Sequence, residues 1–111
     1  MEVKSLGEKR AVLVKIDGEL DHHISNSLRE TVDSKLRSTN AVNVLFDFSN
    51  VGFMDSSGIG MIMGRYKSVK TLGGSVVVFG QNSQIKRIVK MSGIDKIVKI
   101  ADSLDDALKI I

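Results

Sequence analysis

Cysteine, proline and tryptophan are absent from this sequence. Without cysteine there can be no disulfide, no thiolate metal site and no cysteine nucleophile. Without proline, the punctuation between elements falls to the 10 glycines. Aromatics are scarce too, with one tyrosine and four phenylalanines. That is a poor supply of stacking platforms for nucleic acid, which leaves direct nucleic-acid binding a weak expectation. Long apolar runs are also missing. No stretch approaches the roughly 20 residues of a membrane span, and Met1–Arg10 has no apolar segment of signal-peptide length. The expectation is a cytoplasmic chain with no membrane partner.

What is present fits a single domain over residues 1–111. Hydrophobic residues make up 42% and charged residues 26%, an ordinary globular balance, and the length suffices for one self-contained core. The net charge of +3 is unevenly spread. Residues 1–60 carry 7 basic and 9 acidic side chains, whereas residues 61–100 carry 8 basic and only 1 acidic. Such a basic middle either attracts an acidic or phosphorylated partner or forms the solvated faces of two helices.

Hydrophobic periodicity orders the chain. Glu2–Ser5 and Ala11–Ile16 read as a hairpin around Gly7. Ile24, Leu28, Val32 and Leu36 recur every four residues as one helical stripe, with Asp21 as its candidate cap. Val42–Phe48 reads as a buried strand. A second stripe, Ile59, Ile62, Met63, Tyr66 and Val69, ends at Gly73 and Gly74. Ser75–Phe79 and Ile97–Ile100 read as strands, separated by a helix marked by Ile85, Ile88 and Val89. Leu104, Ala107, Leu108 and Ile111 line a terminal helix. Strands alternating with helices predict an α/β fold: a mixed, mostly parallel sheet of four to five strands with about four helices. Sites in such sheets gather beyond the carboxyl ends of strands. The predicted loops Gly18–His23 and Ser49–Ser57 meet there, which brings Glu19, Asp21, His22, Asp55, Ser56 and Ser57 together.

The most informative segment is Phe53-Met54-Asp55-Ser56-Ser57-Gly58-Ile59-Gly60. It follows a strand and opens a helix, where free N–H groups and the helix dipole favour an anion. Asp55 or Ser56 can equally be a plain N-cap. Gly58 and Gly60 each cost a helix roughly 0.8–1 kcal/mol relative to alanine, so something is expected to pack closely there, either a partner or the chain's own strand. Enzyme readings fare less well. Gly58, Gly60 and Gly64 miss the dinucleotide fingerprint by one residue, and no Gly-Lys-Ser/Thr occurs. Ser56 with His22 or His23 and Asp21 or Asp55 supplies the residue types of a hydrolase triad, but without the G-x-S-x-G elbow. His22 and His23 lack the third ligand a metal site needs.

Gly18-Glu19-Leu20-Asp21-His22-His23, the segment Phe53–Gly60, Gly64-Arg65-Tyr66-Lys67 and Met91-Ser92-Gly93 together resemble the anti-sigma-factor antagonists. These are STAS-domain proteins, and the likeness is greatest to those of the sporulation sigma-F system. It runs from about Val12 to the C-terminus and is loose over Glu2–Lys9. The resemblance implies a phosphorylation switch rather than an enzyme, with Ser56 as the phosphoacceptor. The implied partners are an anti-sigma factor that is itself a serine kinase, bringing its own ATP, and a phosphatase that resets the switch. Unphosphorylated antagonist would bind the anti-sigma factor and free the sigma factor. Glu19, Asp21, Asp55, Ser56, Ser57, Gly58 and Gly60 would form the partner-facing edge, with no cofactor or metal on this chain. The same phosphoserine logic serves related modules in stress-sigma and stressosome pathways.

Overall fold

The apolar stripes and alternations assemble into five strands and four α-helices in a computed structural model that describes all 111 residues. The strands are β1 (Glu2–Leu6), β2 (Ala11–Leu20), β3 (Asn43–Met54), β4 (Val76–Phe79) and β5 (Lys99–Ala101). The helices are α1 (His22–Ser38), α2 (Ser56–Lys70), α3 (Ser83–Ser92) and α4 (Leu104–Lys109), with short 3-10 turns at Gly7–Lys9 and Ile94–Lys96. The sheet order is β1-β2-β3-β4-β5. β1 is the antiparallel edge and every other pairing is parallel, as the alternating order predicts.

Side-chain alternation divides the sheet into two faces. Val12, Val14, Ile16, Val44, Phe46, Phe48, Val76 and Val78 meet Leu28 and Val32 of α1, Ile62 and Val69 of α2, and Ile85 and Val89 of α3 in the main core. On the opposite face Leu13, Leu45, Val77 and Phe79 pack against Ala107 of α4. α1 and α2 are further joined by an ion pair, Arg65 Nε to Asp33 Oδ1 at 3.0 Å. Burial pushes the Arg65 guanidinium below its ordinary pKa, and Asp33 opposes that shift.

Two expected loops are corrected. β3 does not stop at Phe48 but runs to Met54, and β2 runs to Leu20, so most of Gly18–His23 and Ser49–Ser57 is strand or helix. The apolar pattern weakens there because the pairing is irregular. The register shifts between Lys15 and Asp17 and again between Gly18 and Glu19, with β3 carrying an extra residue each time, the count of a β-bulge. Gly18 takes φ +91° at this irregularity, a conformation that favours glycine. Asn50 Nδ2 donates to Asp17 Oδ1 at 2.8 Å across it. The long paired strands deliver Leu20 and Met54 side by side, so α1 and α2 start next to each other.

Candidate functional site

Both helices begin with the same device. Asp21 is the N-cap of α1 and accepts from the Ile24 N–H at 3.0 Å. Asp55 is the N-cap of α2 and accepts from the Ser57 N–H at 2.9 Å. Each satisfies one of the amides that a helix start leaves unpaired. The Asp55 N–H donates to the Leu20 carbonyl at 3.4 Å, tying the two caps together across the end of the sheet.

The hydroxyls of Ser56 and Ser57 are treated very differently. Ser57 is half-buried. Its hydroxyl donates a short hydrogen bond to Asp55 Oδ1 and lies 3.3 Å from the hydroxyl of Ser25. Ser25 is on α1 and only 3% exposed. The Ser57 hydroxyl is the main reason that the Asp55 carboxyl is held below its usual pKa. Burial works the other way, and the N–H groups of Ser57 and Gly58 and the nearby His22 assist. Ser56, the first residue of α2, is exposed, and the hydrogen bonds at this helix end all go to its neighbours.

Gly58 and Gly60, paired in the sequence reading, also separate. A Cβ on Gly58 would stand 2.6 Å from Met54 Cγ and 3.1 Å from Leu20 Cδ2. The close neighbour there is the chain's own strand ends. A Cβ on Gly60 would meet nothing within 4 Å, so that glycine is a bare, exposed shoulder of α2. Beside it a groove of about 320 Å³ runs between the first turns of α1 and α2, lined by residues that include His22, Asn26, Arg29, Ser57 and Gly60. A larger cavity of about 560 Å³ lies at the far ends of these helices, around Arg10, Asp33, Asn40 and Leu72, remote from the serines.

The sheet edge therefore gathers Asp21, Asp55, Ser56, Ser57, Gly58 and Gly60. Glu19 is exposed on β2 and is paired in register with Phe53 of β3. His22 lines the same groove as Ser57 and acts on Asp55, but it makes no hydrogen bond to a serine. His22 Nε2 instead lies 3.3 Å from Asn26 Nδ2. The burial of Ser25 and the exposure of Phe53 were not expected from the sequence. Ser25 shares the buried line of α1 with Leu28 and Val32, and that i, i+3, i+7 spacing is its signal. Phe53, 42% exposed, sits inside the informative segment, where an apolar residue on a strand ordinarily reads as core.

Residues 3–107 match the STAS domain. The chain belongs to the STAS-domain family. It is 34% identical over 108 residues to the anti-sigma F factor antagonist of Paenibacillus polymyxa, covering 97% of this chain and 92% of that one. The anti-sigma-B factor antagonist of Listeria monocytogenes is 25% identical over 85 residues, 77% of this chain and 74% of that relative. Among solved structures, the anti-sigma factor antagonist SpoIIAA in its unphosphorylated form superposes with a TM-score of 0.86 at 21% identity, covering 98% of this chain and 93% of that one. Its phosphorylated Bacillus form gives 0.76, also at 21% identity, covering 98% and 96%. At that identity the structures establish the fold of this STAS domain, including the five-stranded mixed sheet.

Proposed function

We propose that this STAS domain is an anti-sigma-factor antagonist, a cytoplasmic regulator of sporulation-type transcription that is switched off by phosphorylation of Ser56. The observation that carries the reading is the state of the Ser56 hydroxyl, which is exposed and unbonded at the first position of α2 beside the bare shoulder of Gly60. The similarity to a named anti-sigma F factor antagonist along nearly the whole chain supports it. So does the existence of a phosphorylated and an unphosphorylated form of a relative with the same fold. The partner is an anti-sigma factor with serine kinase activity, which brings the ATP. A phosphoserine phosphatase resets the switch.

The physics of the switch follows from where Ser56 sits. Phosphorylation adds about −1.5 to −2 charge and three acceptor oxygens. At a helix N-terminus such charge is favoured by roughly 0.3–1 kcal/mol, so the domain itself tolerates it. A partner seated on Ser56, Gly60, Glu19 and Phe53 must desolvate that charge, at a cost of several kcal/mol. Glu19, Asp21 and Asp55, on this same chain, repel the phosphate weakly in water and more strongly once a partner excludes the water. The fold survives phosphorylation and the complex does not.

Incubation of the protein with its host's anti-sigma factor kinase and Mg-ATP, followed by phosphosite mapping, tests the reading. One phosphate on Ser56 and loss of kinase binding by the phosphorylated form are expected. No labelling, or labelling confined to another residue, overturns it. The anti-sigma-B relative favours one second reading, the same switch in a stress-sigma pathway. Comparison of binding to sporulation-type and stress-type anti-sigma factors separates the two.

A further inference from the structure

Two serines stand side by side at the start of α2, and a kinase presented with both must be confined to one. We infer that Asp55 and Ser25 form a lock that withholds the hydroxyl of Ser57 and so makes Ser56 the sole phosphoacceptor. This rests on the reading of Ser56 given above. In the transfer, the serine Oγ forms a bond to the γ-phosphorus of ATP as the bond to the β–γ bridging oxygen breaks. ADP departs, and the hydroxyl proton passes to a carboxylate base of the kinase. The reacting oxygen must therefore offer a lone pair outward, in line with the phosphorus, and its proton must be free for that base.

Ser57 fails on both counts. Its proton is committed to Asp55 Oδ1, which also accepts the Ser57 N–H at 2.9 Å, so one carboxylate oxygen holds the residue at two points. Its oxygen is turned towards Ser25 Oγ, 3.3 Å away and buried on α1. Attack from Ser57 requires breaking a hydrogen bond to a charged group and swinging the side chain out of the crevice between the helices. Ser56 needs neither. An aspartate on a serine hydroxyl can also serve as an activating base. Here the carboxyl is held below its usual pKa chiefly by that same hydrogen bond, which makes it a weak base, and Ser57 is turned inward. Asp55 and Ser25 thus act as positioning residues through Ser57.

Mapping with the host kinase and Mg-ATP tests the lock on full-length variants. Ser56→Ala should carry almost no phosphate on Ser57. Ser56→Ala/Asp55→Ala should raise Ser57 labelling by about tenfold to a hundredfold, the range that corresponds to losing a hydrogen bond to a charged group, and Ser56→Ala/Ser25→Ala, which removes a neutral contact, by about twofold to tenfold. Ser25→Ala alone should keep Ser56 labelled and add Ser57. Rapid labelling of Ser57 in Ser56→Ala would overturn the lock, as would no rise in either double variant. Loss of Ser56 labelling in Ser25→Ala would overturn it too. A kinase-free arm uses NMR titration of the Asp55 carboxyl, whose pKa should rise in Ser57→Ala; an unchanged value overturns the lock. If the wild-type protein is not labelled on Ser56 at all, the functional reading fails instead.

Discussion

The first turns of α1 and α2 are the same construction carrying different side chains. Each follows a parallel strand, each starts at an aspartate cap, and the two caps sit side by side where Leu20 pairs with Met54. From that shared start, His22 corresponds to Ser56, Ile24 to Gly58 and Asn26 to Gly60. In α1 the first side chain is held by the one four residues on, since Asn26 reaches the exposed His22 at 3.3 Å, the usual meeting of i and i+4 on a helix. In α2 that fourth position is a glycine with nothing near it, and Ser56 stays bare. The cap supplies the helix start in both. What distinguishes a candidate switch from a plain helix start is the removal of side chains around one hydroxyl.

The change expected to break the comparison most severely is Gly58→Val. In α1 the corresponding residue is Ile24, half-buried against the core. In α2 a Cβ would be driven to 2.6 Å from Met54 Cγ and 3.1 Å from Leu20 Cδ2, both on buried residues. Overpacking of this kind costs typically 1–3 kcal/mol, sometimes more, and valine adds two further methyls with restricted χ1 in a helix. Denaturant unfolding of the variant should show a loss of at least about 2 kcal/mol. A variant as stable as wild type would mean that the helix can lift off the strand ends.

Next in size is the effect of Ser56→Asp on partner binding. The new carboxylate sits at the positive end of α2, so the melting temperature of the free domain should be unchanged or slightly raised. At the proposed interface the same charge would be buried without a partner. Affinity for the anti-sigma factor, measured by calorimetry, should fall at least tenfold, which is about 1.4 kcal/mol. Equal affinity would mean that phosphorylation acts by changing the domain's shape rather than by excluding charge.

Much of this was legible in the sequence, and the failures have a common cause. The order of elements, the antiparallel edge and the Asp21 cap follow from periodicity and cap chemistry, because α1 and the first halves of β2 and β3 obey regular patterns. The ends of β2 and β3 do not. Two extra residues in β3 shift the register, so Asn50, Gly52 and Phe53 interrupt the alternation and read as loop. The pairing partner that keeps them in a strand lies more than thirty residues away. The contrast between an exposed Ser56 and a half-buried, hydrogen-bonded Ser57 was not legible from residue pattern, since it involves Ser25 arriving from another helix. Gly58 and Gly60 look alike in sequence and differ only in what lies opposite them.

Gly60 sharpens the comparison with the smallest effect on the fold. It lies inside α2, so replacing it by alanine removes a helix cost of roughly 0.8–1 kcal/mol, and the new Cβ meets no atom within 4 Å. Gly60→Ala should therefore melt a few degrees higher than wild type. Gly60→Leu should also remain folded, because its side chain points into the open groove between α1 and α2 rather than into the core. That places the second turn of α2 in the condition of α1, where Asn26 overhangs the first residue. If the bare shoulder exists to let a partner reach Ser56, the leucine variant should lose both binding to the anti-sigma factor and labelling of Ser56, while its melting curve stays at or above that of wild type. A leucine variant that binds and is phosphorylated normally would detach Gly60 from the site, leaving the exposed hydroxyl of Ser56 to account for recognition without the open shoulder beside it.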